Sequence, residues 1–522
     1  MNQASIHWAD IYADKIIREK GEKDLYTCAS GVTPSGTVHI GNFREVISVD
    51  LVVRALREKG KQVRFLYSWD EYDVFRKVPA NMPNQEKLTE YLRRPITLVP
   101  DPYGKEKSYA RHNEKQLEEL LHLVGIDPEY IYQAARYRTS AYAAGIKRAL
   151  ERKDTIRTLL DEHRSSPLPE DWMPVSVFCT SCLRDTTEVT SWNGDWSISY
   201  KCSSCNNAET LDLRKTEAAK LPWRIDWPMR WALEKVDFEP AGKDHHSEGG
   251  SFDTSRKIVA QIYEAEAPVT FQYDFISIKG RGGKISSSSG EVISLGDVLE
   301  VYQPEVVRYL FAGTRPNTEF AISFDLDVLK IYEDYDKCER VYFGQEDVGE
   351  KKRIKEKRIY ELSQVHRVPE RMPFQIPVRH LCNLLQIHSG NITAVLDFLQ
   401  VPEDQRERLS VRAECAWNWL QTYAPEDFRF TPRSEKSDPL KVNDTERKAL
   451  NQLYQVVLEM NDPDEKDLAE RLYGIITDCE MEPGDFFSLV YRVLIGKEKG
   501  PRLAGFILTL GRERVGGLLK KY

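Results

Sequence analysis

Hydrophobic and polar positions fall into blocks whose period changes along the chain. Leu25 to Ser30 and Val63 to Ser68 are apolar runs of strand length. Between them Gly41 to Glu58 carries a largely apolar stretch, Val46 to Leu56, too long for a strand and suited to a buried helix. Strand, helix and strand in that order predict a βαβ unit, hence a parallel sheet of the Rossmann kind. An amphipathic helix is expected over residues 5 to 24. Farther on, Leu117, Leu120, Leu121 and Val124 recur at helical spacing, Tyr130 to Ala134 suits another strand, and Thr139 to His163 predicts one long helix. Trp223 to Pro228 leads into an apolar helix start at Met229 to Leu233, and Phe238 to His246 reads as a strand end followed by a polar loop. Thr254 to Ala265 predicts a helix, and Pro268 to Ile278 a single strand.

The second half keeps only the helical period. Val298, Val301, Val306, Tyr309 and Leu310 share a face within 295 to 315. Beyond Pro373, stripes appear at Leu381, Leu384 and Leu385, at Leu450, Leu453, Tyr454 and Val457, and at Leu468, Leu472, Ile475 and Ile476. Asn443 and Glu446 are spaced as a capping box for the second stripe. The expected organisation is a parallel-sheet domain over 1–290 with an insertion at 165–215, a helical stem and linker over 291–370, and an all-helical domain over 371–522.

Length agrees, since 522 residues exceed what one core accommodates. The net charge of -8 argues against a generally cationic nucleic-acid binder, so any such surface must be local. The run Lys351 to Arg358, KKRIKEKR, is the clearest basic segment, as suited to a solvated helix face as to RNA. No apolar run approaches the roughly 20 residues that span a bilayer, and the first residues lack a basic start and apolar core. Those features predict a cytoplasmic protein without a membrane partner.

Four of the nine cysteines form two close pairs, Cys179 with Cys182 and Cys202 with Cys205, separated by nineteen residues. Two such knuckles can bring four thiolates around one Zn²⁺, and a full set of four protein ligands makes the ion structural. A zinc ribbon within the insertion is therefore expected.

Thr27 to Asn42, TCASGVTPSGTVHIGN, combines a strand end, a glycine-rich turn and a helix start. Unpaired backbone N–H groups at a helix start receive anions such as phosphate. His39 and Asn42 stand there with further donors.

His39-Ile40-Gly41-Asn42 resembles the HIGH signature of the class I aminoacyl-tRNA synthetases, and Lys284-Ile285-Ser286-Ser287-Ser288, about 240 residues later, resembles their KMSKS loop. The resemblance is fullest to the lysyl type of archaea and spirochaetes. Two positions depart from the general signatures: Asn42 replaces the second histidine and Ser287 the second lysine.

The resemblance implies a Rossmann-type catalytic domain, a helical stem and a helical anticodon-binding domain. It implies ATP, carried with Mg²⁺, as a substrate, with lysine and tRNA(Lys) as partners. His39, Gly41, Asn42, Lys284, Ser286, Ser287 and Ser288 would act on the phosphates, with Pro34, Gly242, Asp244 and His245 completing the ATP site. Gly31, Thr33 and His246 match positions lining the family's lysine pocket, where Asp70 or Asp73 could add charge and Trp227 and Tyr273 aromatic faces. Glutamyl relatives carry an Arg before the first turn, and Cys28 to Gly31 contains none, which favours lysine. The competing expectations are a class I synthetase for glutamate or cysteine, and a non-catalytic tRNA-binding relative. Oligomeric state is not legible.

Overall fold

A computed structural model describes residues 7–279, 292–459 and 464–522. Helix α1 (Trp8–Lys20) precedes strand β1 (Leu25–Val32), helix α2 (Ile40–Glu58) and strand β2 (Gln62–Trp69). β1 and β2 pair in parallel from Leu25↔Gln62 to Val32↔Trp69, so the βαβ expectation holds. After α3 (Tyr109–Leu123), strand β3 (Glu129–Tyr132) joins the far side of β2, also in parallel. On the other side of β1, Phe238 bridges Cys28 in parallel and Val269 bridges Phe238. The order across the sheet is thus β3, β2, β1, Phe238, Val269. It reverses beside β1, where the crevice at the strand ends receives ligands in folds of this kind.

Helix α2 is the centre of this layer. Val46, Ile47, Val49, Leu51, Val52, Val53, Ala55 and Leu56 are all fully buried. Each large apolar side chain contributes roughly 1.5–3 kcal/mol on leaving water. Two charged residues are buried with them. Asp50 accepts from Arg308 at 2.7 Å and pairs with Arg54 at 2.9 Å. Arg44 donates to the carbonyls of Phe275, Pro316 and Thr318.

Four local expectations are corrected. Gln133 and Ala134 do not extend β3 but open helix α4 (Gln133–Arg138), because the Glu71 carboxylate accepts from both their backbone N–H groups at 3.0 Å. The long helix over 139–163 is two, α5 (Ala143–Glu151) and α6 (Lys153–Asp161), broken at Arg152 (φ -112°, ψ 21°). The break lets Ile146, Ala149 and Leu150 of one helix and Ile156 and Leu159 of the other enter one core. Trp223 to Pro228 belongs to helix α7 (Trp223–Glu234). Its Pro228 gives up one backbone donor inside the helix, a cost that the burial of Ile225, Trp227, Met229 and Trp231 outweighs. Helix α8 (Ser251–Ile262) follows as expected, but Pro268 to Ile278 holds two short strands, Gln272–Tyr273 and Ile276–Ile278. They pair with different partners, Ala241–Gly242 and Phe320–Ile322.

Between α6 and α7 the chain builds a three-stranded antiparallel sheet from Thr187–Trp192, Ser197–Cys202 and Ala208–Asp212. The two-residue strands Ser176–Val177 and Ala219–Lys220 pair where the chain enters and leaves it.

The described residues form two compact units. The first runs to Leu299 and adds Pro304–Ile322 and Cys338–Val368; the second takes Glu300–Gln303, Ser323–Lys337 and Pro369–Tyr522. The second unit is helical. Leu450, Leu453, Leu468, Leu472, Ile475 and Phe486 meet in its core with Leu503, Ile507 and Leu518. The capping box is present: the Asn443 N–H donates to Glu446 and the Glu446 N–H donates to the Asn443 side chain, both at 2.8 Å. Buried Arg412 donates to both oxygens of Asp336 (2.7 and 3.1 Å) and to Gln303 at 2.8 Å, tying all three segments of the unit together.

Candidate active site

A cavity of about 760 Å³ opens at the carboxyl ends of β1 and β2. Gly31, Val32 and Thr33 leave β1 along its floor, Asn42 and Glu45 reach it from α2, and Asp70 and Asp73 follow β2. Lys220, Trp223, His245 and Tyr273 line it from later in the chain.

The backbone is crowded at two glycines here, by a main-chain oxygen at Gly31 and by the His39 ring at Gly41. A Cβ on Gly31 would lie 2.7 Å from the Ser68 carbonyl oxygen, and one on Gly41 would lie 2.8 Å from the His39 imidazole. His39 precedes the first turn of α2, with its ring folded back over Gly41. The Ile40 N–H donates to the Ile293 carbonyl at 2.8 Å, and His39 bridges Ser294. The helix start that the sequence marked is therefore held from the far side of the signature loop. Lys284, Ser286, Ser287 and Ser288 themselves lie outside the described residues.

Of the four carboxylates on the wall, Asp185 pairs with Arg93 at 2.8 Å, and the other three differ in their company. Asp70 accepts from Arg230 at 2.7 Å and from Ser68 at 3.0 Å. Asp73 pairs with Lys220 at 2.6 Å and accepts from Thr33 at 3.1 Å. Burial opposes the ionisation of Asp73, but Lys220 holds its carboxyl below the usual range. Glu45 has neutral partners only: it accepts from the Ser30 hydroxyl at 2.8 Å, the Gly31 N–H at 3.1 Å and the Tyr273 hydroxyl. Burial raises its carboxyl above the ordinary range, against the lowering effect of those donors. A cation placed there would remove that penalty.

Of the other residues singled out from sequence, several stand behind the wall. Trp227 is 5% exposed, donates to Glu239 at 3.1 Å and stacks beneath Trp223, its ring 4.8 Å away. It is Trp223 that faces the cavity. His246 lies against Phe252 and Thr270, its pKa lowered by burial, whereas its neighbour His245 is on the wall. Gly242 packs beneath Tyr273, and Asp244 is exposed beside it. Pro34 is buried in the turn.

A second constellation lies in the insertion. The sulfurs of Cys179, Cys182, Cys202 and Cys205 are all within 4.8 Å of one another, with Cys179 to Cys205 and Cys182 to Cys202 at 3.6 Å. Four sulfurs bound to one Zn²⁺ at about 2.3 Å stand roughly 3.8 Å apart, so the set fits. Both knuckles turn alike: the Leu183 N–H returns to the Cys179 carbonyl and the Asn206 N–H to that of Cys202, with positive φ at Leu183 (63°) and Asn206 (58°). Against the opposing effect of burial, the N–H groups of Cys182 and Ser181 lower the Cys179 thiol to about 6, while Cys182 is pushed up to about 12. Adjacent thiolates cannot all ionise without a cation among them.

The family model for the class I (K) tRNA synthetases matches residues 6–366. The chain belongs to the lysyl type of class I tRNA synthetases. A lysine–tRNA ligase of Borreliella burgdorferi is 58% identical to this synthetase, covering 99% of each chain. That of Thermococcus kodakarensis is 41% identical over 98% of each. A solved glutamate tRNA ligase of Elizabethkingia meningosepticum is similar at 13% identity and a TM-score of 0.42, covering 95% of this chain and 98% of that one.

Sequence reasoning passed over Glu45, Lys220 and Trp223. The signal for Glu45 was present: an acidic residue just ahead of the apolar run Val46 to Leu56, six positions after His39. Lys220 and Trp223 left no comparable trace, because each reaches the cavity only through the path of the chain out of the insertion.

Proposed function

We propose that the protein is a lysine–tRNA ligase that activates lysine with ATP and passes the lysyl group to the terminal adenosine of tRNA(Lys). The observation that carries this is the full-length identity of 58% with a ligase of that name. In the first step an oxygen of the lysine carboxylate bonds to the α-phosphorus of ATP as pyrophosphate leaves. In the second, a ribose hydroxyl of the tRNA attacks the acyl carbon and AMP leaves. The nucleophile of the first step is already an anion, so that step rests on alignment and on donors placed where phosphate charge grows.

The roles follow from the surroundings of each group. Asp70, Asp73 and Asp185 are already paired with Arg230, Lys220 and Arg93, which leaves Glu45 as the wall carboxylate available to the lysine ammonium. Thr33, Tyr273 and Trp223 would flank the aliphatic stem, and Gly31 would let it approach β1. His39, Gly41 and Asn42 at the start of α2 would receive ATP with its Mg²⁺, with Lys284, Ser286, Ser287 and Ser288 approaching its phosphates. Gly242, Asp244 and His245 would hold the adenosine. Pro34, Trp227 and His246 would support these groups from behind.

Cys179, Cys182, Cys202 and Cys205 would hold one structural zinc; the spacing of their sulfurs and the matched knuckles support it. The ion would fix the three-stranded insertion, and no reaction step passes through it. The helical unit would read the anticodon. The cytoplasm is the compartment in which four thiols serve a metal and not disulfides.

Exchange of labelled pyrophosphate into ATP tests the reading, with lysine, glutamate and cysteine supplied in turn and a Lys284→Ala variant in parallel. Exchange is expected with lysine alone and is lost in the variant. Exchange that is absent, or independent of lysine, refutes the assignment.

A further inference from the structure

Among the acidic and basic side chains on the wall of the cavity, two cations stand apart. Asp70 is matched by Arg230, Asp73 by Lys220 and Asp185 by Arg93 at 2.8 Å, while Glu45 is enclosed by neutral donors. Arg76 and Lys77 are exposed and make no ion pair among the described residues; Arg76 acts on Asp185 only through space, after Arg93.

Their loop, between β2 and α3, is held on both sides. Val74 bridges Pro95, and the Phe75 N–H donates to the Arg94 carbonyl at 2.8 Å. Phe75 is 1% exposed in a core with Met82, Ile96 and Tyr109. The cysteine-bearing insertion contributes Val175, Phe178 and Thr187 to the lining of the same cavity. Loop and insertion are fastened together by the Arg93–Asp185 pair and by the Tyr72 ring against Phe178 at 5.2 Å.

Two adjacent cations, uncompensated and held on a pinned loop, suit a ligand with successive negative charges. Unpaired nucleic acid is such a ligand, and its affinity rests chiefly on phosphate neutralisation. On the ligase reading, which this inference presupposes, the terminal ribose has to enter the cavity to reach the activated carboxyl. The phosphates before it must then trail over the rim.

We infer that Arg76 and Lys77 grip the backbone of the unpaired 3′ end of the tRNA where it enters the cavity over the joined β2–α3 loop and insertion. They are positioning residues for the second step. The test is an Arg76→Ala/Lys77→Ala double variant of the full chain, with binding measured on intact tRNA(Lys) and on the same tRNA lacking its unpaired 3′ nucleotides. Intact tRNA is expected to bind roughly ten- to hundredfold more weakly. The slope of log K against log salt should flatten by about 1.4, for two single-strand contacts. The shortened tRNA should bind variant and wild type alike, pyrophosphate exchange should keep its KM for ATP, and the charge-preserving swap Arg76→Lys/Lys77→Arg should restore binding.

Equal loss with both tRNAs, or none with either, overturns the inference. A raised KM for ATP overturns it as well, by assigning the two cations to the triphosphate. Wild-type protein that shows no lysine-dependent exchange refutes the ligase reading itself, whatever the binding data.

Discussion

Glu45 shows how little a residue's identity says before its neighbours are known. Four carboxylates line one cavity, and their chemistry is separated by their partners: a guanidinium for Asp70 and another for Asp185, an ammonium for Asp73 and neutral donors for Glu45. Glu45→Gln keeps the shape and most hydrogen bonds but removes the charge. We expect it to raise the KM for lysine by at least about tenfold, from the loss of a partly buried charged contact, with the KM for ATP little changed. Steady-state exchange kinetics measure both. The pH profile supplies a second check. Burial raises the Glu45 carboxyl, so the charge is lost as pH falls, starting above the range of a solvent-exposed carboxylate. In the wild type kcat/KM for lysine should decline over that interval, and in Glu45→Gln the limb should vanish.

At the scale of elements, the insertion and helix α4 are both set by groups outside regular hydrogen bonding. Ile198, Tyr200 and Leu211 of the sheet Thr187–Asp212 are buried in one core that also holds residues of α5 and α6. The cysteine cluster closes the open end of the sheet. Chelation is expected to release one zinc per chain, and Cys202→Ser to lower the bound metal. In both cases amide exchange should quicken over 176–220 while the core of α2 stays protected. Helix α4 begins where it does because Glu71 caps it, and burial raises that carboxyl to about 8. Between the ordinary carboxylate range and that value the folded chain binds more protons than the unfolded one. Stability therefore falls as pH rises through the interval, by at most about 1.4 kcal/mol per pH unit from this group. Glu71→Gln should flatten that slope in melts taken from pH 5 to 8.

For the whole molecule, the division into units does not follow chain order. Glu300–Gln303 and Ser323–Lys337 belong with Pro369–Tyr522, and the Arg412–Asp336–Gln303 cluster is the physical reason. A guanidinium and a carboxylate buried together lose heavily when one is removed. Asp336→Ala is expected to destabilise the helical unit by roughly 3–5 kcal/mol, read as a shift of its unfolding transition in denaturant, with less effect on the parallel-sheet unit. No helix among the described residues is long and apolar enough to cross a membrane.

Local pattern was sufficient for what is repeated or contiguous. The βαβ unit, the capping box at Asn443 and the paired cysteines could be read directly, because each depends on residues close in the chain or on a period. The break at Arg152, the splitting of 268–278 into two strands, and the replacement of Trp227 by Trp223 at the cavity wall could not. Each is decided by what packs against the segment, and those partners come from tens to hundreds of residues away. The same holds for charge. A sequence lists Asp70, Asp73, Glu45, Arg76 and Lys77 as equals, and only the fold determines which of them has been neutralised, because electrostatic partners are chosen by distance in space.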